Sequence, residues 1–228
     1  MLVNKVVNDW DEVTFVPTTL GKVLLAAVIV VLLLVAALIA MKSKKDEAKS
    51  KSILTVKQLA FCALSIALAT VLSNIKVFHF PTGGSITLLS MLVACLPGYF
   101  FGLVPGLITG VAYGFLQMLI DPYILFPAQL VVDYILAFGA LGLSGLFAKS
   151  KFGLLKGYVA GVLGRYVFAV ISGWIFFGMY AWEGWGALPY SLAYNAIYIF
   201  AEAVVTVIII AIPAVRKALS KVKEMANS

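Results

Sequence analysis

Three ionisable residues interrupt otherwise apolar stretches of the chain: Asp133, Arg165 and Glu202. A charge within a hydrocarbon layer is costly, so each is a functional candidate by default. Asp133 follows the turn-forming run DPYILFP and is expected to start a helix, where the helix dipole favours an aspartate. Asp133 and Tyr134 fall at the same level as Tyr123, Tyr190, Tyr194 and Asn195. A carboxylate ringed by aromatic faces suits a cationic or amine-bearing ring, with the aromatics attracting the cation and the carboxylate as its counter-ion. An interfacial belt enriches the same aromatic residues at that depth, and the sequence leaves both explanations open. Arg165 follows Lys156 closely and is expected to snorkel to the cytoplasmic interface. Glu202 serves a ligand, or pairs with a tyrosine or with backbone, equally well.

A second cluster is FHFPTGGSITLLS, residues 78–90. Pro81 and the pair Gly83-Gly84 specify a tight turn, and Ser85 is expected to cap the helix that follows. A Gly-Gly turn also lets backbone approach a ligand closely, or lets a loop act as a lid. No GxxxxGK[ST] phosphate loop occurs, so ATP hydrolysis by that route is excluded. Cys62 and Cys95 lie in apolar runs and read as small buried hydrophobes. With His79 as the sole histidine, neither a metal site nor any cofactor is expected.

The elements that must position these groups follow from composition. Of 228 residues, 63% are hydrophobic and 12% charged, and mean hydropathy is +1.06. A soluble domain is nearer half apolar and a quarter charged. The expected fold class is therefore an all-α integral membrane protein. Residues 20–41 are long enough to span and are followed by a lysine-rich stretch, so they read as a transmembrane helix and not as a signal peptide. Residues 42–54 form a basic cytoplasmic linker. Six further apolar stretches lie at 55–73, 86–103, 105–120, 128–148, 155–180 and 190–213, followed by a basic tail at 214–228. The alternation puts segment 1–19 and the N-terminus outside, and the C-terminus in the cytoplasm. Thirteen of the 17 Lys and Arg residues then fall on the cytoplasmic side. The net charge of +7 therefore reads as membrane topology and not as a nucleic-acid surface. No internal repeat supports an inverted-repeat transporter. On the helix after the linker, Ala63 and Ala67 stand four apart, a spacing that lets helices approach closely, either within the bundle or against a separate membrane subunit.

Three stretches bear a family resemblance: PTGGSITLLSM at 81–91, DPYILFPAQLVVDYILAFGALGLSGLF at 121–147 and YSLAYN at 190–195. From about Leu54 onward the chain resembles the ThiT family, the thiamine-binding S components of energy-coupling-factor (ECF) vitamin transporters. The resemblance implies a six-helix S-component bundle with a thiamine pocket near the outer surface. The helix at 20–41 is additional to it. By that resemblance Asp133 contacts the aminopyrimidine, with Tyr134 beside it. Asn195 and Tyr190 come from the last helix, Tyr113 and Tyr123 form wall positions, and Phe78 occupies a stacking position in the loop with Gly84 and Ser85. The resemblance also implies that Ala63 and Ala67 contact a transmembrane coupling subunit, with two ATPase subunits supplying energy. The sequence departs from the family where Ala169 replaces a frequent histidine, and Asp133 stands where a glutamate also occurs.

The implied function is capture of thiamine from outside by a multi-pass plasma-membrane protein that is not itself an enzyme. A thiamine precursor or another vitamin is an alternative ligand. A membrane enzyme lacks acid–base components here. A scaffold would use the small-residue face and bind no small ligand.

Overall fold

The computed structural model describes residues 3–7, 13–17, 54–80, 83–121, 123 and 125–228. The expected helix at 20–41 and most of the basic linker lie outside the described residues. Strands β1 (Val3–Val7) and β2 (Val13–Pro17) form an antiparallel hairpin with Val3 opposite Pro17.

The rest is a helical bundle. Helix α1 (Val56–Asn74) leads into a short antiparallel hairpin, β3 (Lys76–His79) and β4 (Ser85–Thr87). Then come α2 (Ser90–Phe101), α3 (Leu103–Ile120), the span Ala128–Phe147 (α4), α5 (Gly153–Phe176), α6 (Ala187–Ala211) and α7 (Pro213–Asn227). Helices α1, α3, α4, α5 and α6 are each long and apolar enough to cross a membrane, and α2 is a shorter apolar helix. This is the expected six-helix arrangement.

The start of α1 is fixed by a capping box. Thr55 Oγ1 accepts from the Gln58 N–H at 3.2 Å, and Gln58 Oε1 accepts from the Thr55 N–H at 3.0 Å. Those contacts satisfy donors that a helix start otherwise leaves bare. Only Cys62, Ser65, Ala69 and Ser73 of α1 are buried, a single stripe, while Leu64, Leu68 and Val71 face outward. Ala63 and Ala67 lie on the exposed side.

Helix α2 is the centre. Nine of its 12 residues are buried, and it packs against α1, α3, α4 and α5. Its start departs from expectation. The apolar run reaches back to Ile86, but Ser85–Thr87 pair as a strand and the helix begins only at Ser90. Ser85 therefore caps nothing; its hydroxyl bonds His79 Nδ1 at 2.8 Å. The residue before the helix is Leu89, at φ 58°, a left-handed conformation rare for a branched-chain residue.

Backbone meets backbone where α3 passes α4. A Cβ on Gly142 would collide with the Gly106 carbonyl carbon, and one on Gly114 would collide with the Tyr134 carbonyl oxygen. Glycine is thus required at both crossings. Within α4, residues Val131–Leu136 are π-helical and Ala140–Phe147 are 3-10.

The expected basic tail is a helix. Pro213 starts α7, whose Val215, Leu219, Val222 and Ala226 recur at helical spacing and are at least partly covered. Asn227 Nδ2 donates to the Phe100 carbonyl at 3.1 Å and Lys223 Nζ to the Ala148 carbonyl. Lys57 Nζ donates to the Met225 carbonyl at 2.7 Å. The C-terminal carbonyls of α2 and α4, which helices leave unsatisfied, thereby find donors. Burial lowers the Lys223 pKa, and its ammonium also lies 4.1 Å from the Tyr99 ring centre.

Candidate binding site

A cavity of about 230 Å³ opens at the end of the bundle where α1 and α3 finish and α4 and α6 begin. It is lined by Asp133, Tyr134, Asn195, Tyr190, Tyr123, Tyr113, Gly84 and Ser85, so eight of the nine sequence-derived positions come together. Phe78 does not join them. It lies on β3, about half exposed, with its ring edge against Phe80 at 4.7 Å. Phe80 in turn contacts the Tyr194 and Tyr198 rings.

Asp133 is not in the first turn of its helix. It lies in the π-helical stretch, two residues past its start, in a helix that begins at Pro127. The dipole explanation therefore fails, because that effect fades within one turn. Gln129 and Ser172 come up beside its carboxylate, and Arg165 supplies positive charge nearby. Among the described residues the single ion pair is Lys76–Asp121 at 2.5 Å, so the Asp133 carboxylate is not consumed by one.

Arg165 does not snorkel. Helix α5 begins at Gly153, which puts Arg165 about 18 Å along it at 1.5 Å per residue. Its guanidinium faces the cavity and stacks on Phe138, 4.3 Å from the ring centre. Phe138 is held edge-on by Tyr113 and parallel to Tyr134. A cation on an aromatic face is favourable when desolvated, which makes this depth tolerable.

The connection between α3 and α4 is stitched by its own polar side chains. Gln129, 1% exposed, donates to the Tyr123 carbonyl at 2.7 Å and accepts from the Leu125 N–H at 2.8 Å. Tyr134 Oη accepts from the Tyr123 N–H at 2.7 Å and donates to the Asp121 carbonyl at 3.3 Å. Tyr123 is thereby fixed with its ring parallel to Phe177, 5.8 Å away. Burial first, then Tyr180, pushes its phenol up to about 12, so it keeps its proton at neutral pH.

Helix α6 supplies the opposite wall. Asn195, 6% exposed, donates to the Ser191 carbonyl at 2.8 Å and accepts from Tyr198 Oη at 2.7 Å. Tyr194 Oη donates to the Gly83 carbonyl at 2.6 Å, tying the glycine turn to the helix. Gly83 and Gly84 have φ 89° and 82°, and a Cβ on Gly84 would touch the Tyr198 ring at 3.0 Å. Both the turn and the close approach require glycine. Ala169 also lines the cavity.

Glu202 is outside the cavity. It is buried and bonds the start of α2, accepting from the Met91 N–H at 2.9 Å. Gln129, Phe177, Tyr198 and Gln117 line the cavity without having been singled out from sequence. Tyr198 was within reach, one helical turn beyond Tyr194. Gln129 and Gln117 carry no distinguishing sequence signal.

The site holds aromatic rings, one carboxylate, one guanidinium and amides. Among the described residues no cluster of His, Cys, Asp and Glu could hold a metal. His79 is exposed and bonded to Ser85. The arrangement is equipped to bind, not to transform.

The family profile described as thiamine transporter protein (Thia_YuaJ) matches residues 59–222. The chain belongs to that family. The family match covers every cavity-lining residue named above and the whole bundle apart from the ends of α1 and α7. Within the family, the chain is 32% identical to the thiamine transporter ThiT of Bacillus subtilis, over 71% of this chain and 91% of that protein. Its fold matches a solved structure of ThiT from Listeria monocytogenes with a TM-score of 0.63 and 28% identity. That match covers 74% of this chain and 96% of the other. The thiamine transporter family is thus shown by sequence and by fold, and the chain is a multi-pass membrane protein with an S-component-like helical bundle.

Proposed function

We propose that the chain is the thiamine-binding S component of an ECF-type importer, capturing thiamine at the outer face of the plasma membrane. The observation that carries this is the Asp133 carboxylate, outside any ion pair, in a cavity walled by Tyr113, Tyr123, Tyr134, Tyr190 and Phe138. Thiamine joins a permanently cationic thiazolium to a flat aminopyrimidine. Aromatic faces suit both rings, Asp133 suits the charge and the amine, and the Asn195 amide suits a pyrimidine edge. A cation buried without such partners would be strongly disfavoured.

In this proposal the cavity mouth and N-terminus face outside and the C-terminus faces the cytoplasm. The segments are 1–19 outside, a spanning helix at 20–41, a cytoplasmic linker at 42–54 and the binding bundle at 55–213, with the tail inside. The chain binds and does not hydrolyse ATP; a transmembrane coupling subunit and two ATPase subunits drive release inside. The exposed Ala63 and Ala67 are the docking face for that coupling subunit.

The test is a thiamine titration of the purified chain in detergent, read by tryptophan fluorescence and calorimetry. Saturable one-to-one binding below micromolar concentration is expected. Absence of binding by folded protein would sink the thiamine assignment. Competition with the separate pyrimidine and thiazole halves and with riboflavin identifies a precursor or another vitamin as the ligand instead. Leucines at Ala63 and Ala67 should abolish co-purification with the coupling subunit while the isolated chain still binds thiamine. Undiminished co-purification would move the docking face elsewhere.

A further inference from the structure

The cavity is roofed on one side by the β3–β4 hairpin, whose turn carries Gly83 and Gly84. Helix α6 grips this hairpin at two levels. At the mouth, Tyr194 Oη bonds the Gly83 carbonyl. Deeper, Glu202 receives three donors. Thr87 Oγ1, at the end of β4, donates to Oε2 at 2.5 Å. The Met91 N–H and Ser90 Oγ, in the first turn of α2, donate to Oε1 at 2.9 and 3.3 Å. Thr87 and Ser90 also bond each other at 2.7 Å. Between these donors the backbone turns a sharp corner through Leu89 at φ 58°. A left-handed non-glycine residue persists only where its surroundings over-determine it. The surroundings here are the Glu202 carboxylate, 4% exposed and absent from the cavity wall.

From this geometry we infer that Glu202 is a positioning residue for the ligand site, resting on the binding function proposed above. It sets the angle at which the hairpin leaves α2, and so holds the glycine turn over the cavity. It touches no ligand itself. The residues that do, Tyr190, Tyr194 and Asn195, lie on the same helix two to three turns earlier. One helix therefore carries both a wall of the cavity and the brace for its cover. Loss of the brace accelerates release of bound ligand and leaves its capture largely unchanged.

The experiment uses the full chain in detergent, with thiamine association and dissociation followed by stopped-flow fluorescence. Glu202→Gln keeps the side-chain size and loses the charge-assisted bonds; the dissociation rate is expected to rise about tenfold, with association within about twofold. Thr87→Val severs only the hairpin arm and should do the same, whereas Thr87→Ser, which keeps the hydroxyl, should restore the wild-type rate. A second readout needs no ligand. A spin label on Phe78→Cys reports hairpin motion, because Cys62 and Cys95 are buried. Glu202→Gln and Thr87→Val should both raise its mobility. Unchanged dissociation and unchanged label mobility in both variants would overturn the inference. If wild-type protein binds no thiamine while the variants free the label, the thiamine assignment fails and the brace stands.

Discussion

Replacing Asp133 with asparagine should weaken thiamine binding by about 2–5 kcal/mol, the range for truncating one partner of a buried charge pair. The cause is the balance of charge in the cavity. With Asp133 ionised, Arg165 and the carboxylate offset each other and the thiazolium meets a counter-ion. With a neutral amide in its place, the Arg165 guanidinium is the uncompensated charge and opposes a cationic ligand. The amide is nearly isosteric and retains Gln129 and Ser172 as neighbours, so the fold should survive. Calorimetry with thiamine and with its uncharged pyrimidine half separates the effects. The loss should be much larger for thiamine. An equal loss for both ligands would assign Asp133 to the pyrimidine alone, and no loss would remove it from the site.

The second large effect is expected far from any charge. Gly114→Ala adds one methyl group deep inside the van der Waals envelope of the Tyr134 carbonyl oxygen. Backbone cannot rotate aside as a side chain can, so α3 and α4 must separate. Overpacking of this kind costs about 1–3 kcal/mol, and a backbone obstacle places it at the upper end. Tyr113 and Tyr134 stand beside this crossing on opposite helices, and both line the cavity. Thermal unfolding in detergent should show a clearly lowered midpoint, and thiamine affinity should fall with it. Gly102→Ala is the control: a Cβ there meets nothing within 4 Å, although its φ of 99° adds local strain. A Gly114→Ala protein with unaltered stability and affinity would show that the two helices are not locked at this contact.

What the sequence revealed, and what it concealed, follows from the physics of each signal. A membrane span announces itself through about 20 apolar residues, so the helices were visible with small errors at their ends. The strand at 85–87 was not, because Ile86 and Leu88-Leu89 extend the apolar run of α2 without a break. Most of the cavity wall was legible because aromatic and carboxylate residues are conspicuous in apolar segments. Arg165 was misplaced for a geometric reason. Its distance in sequence from Lys156 is short, but a helix advances 1.5 Å per residue, and nine residues carry it far from the interface. Gln129 escaped notice because its task is to hold backbone groups of the neighbouring loop, and only folding brings those groups to it. Phe78 shows the opposite error: a position named by resemblance alone, which the hairpin turns toward Phe80 and away from the cavity.

The π-helical stretch at 131–136 has a consequence for how this protein tolerates change in length. A wide turn accommodates one residue more than an α-helical turn would, and such bulges are frequent at functional sites. It works as a phase shifter: upstream and downstream halves of α4 keep their facings only while the extra residue is present. Deleting any one residue between 131 and 136 would let the helix relax to regular winding, and the two halves would rotate against each other by roughly 100°. Gln129 before the bulge and Phe138 after it would then no longer look into the same space. Point substitutions along this segment test single contacts; a one-residue deletion there would re-index an entire wall. Lineages of this protein can therefore vary the letters of the stretch far more freely than its count.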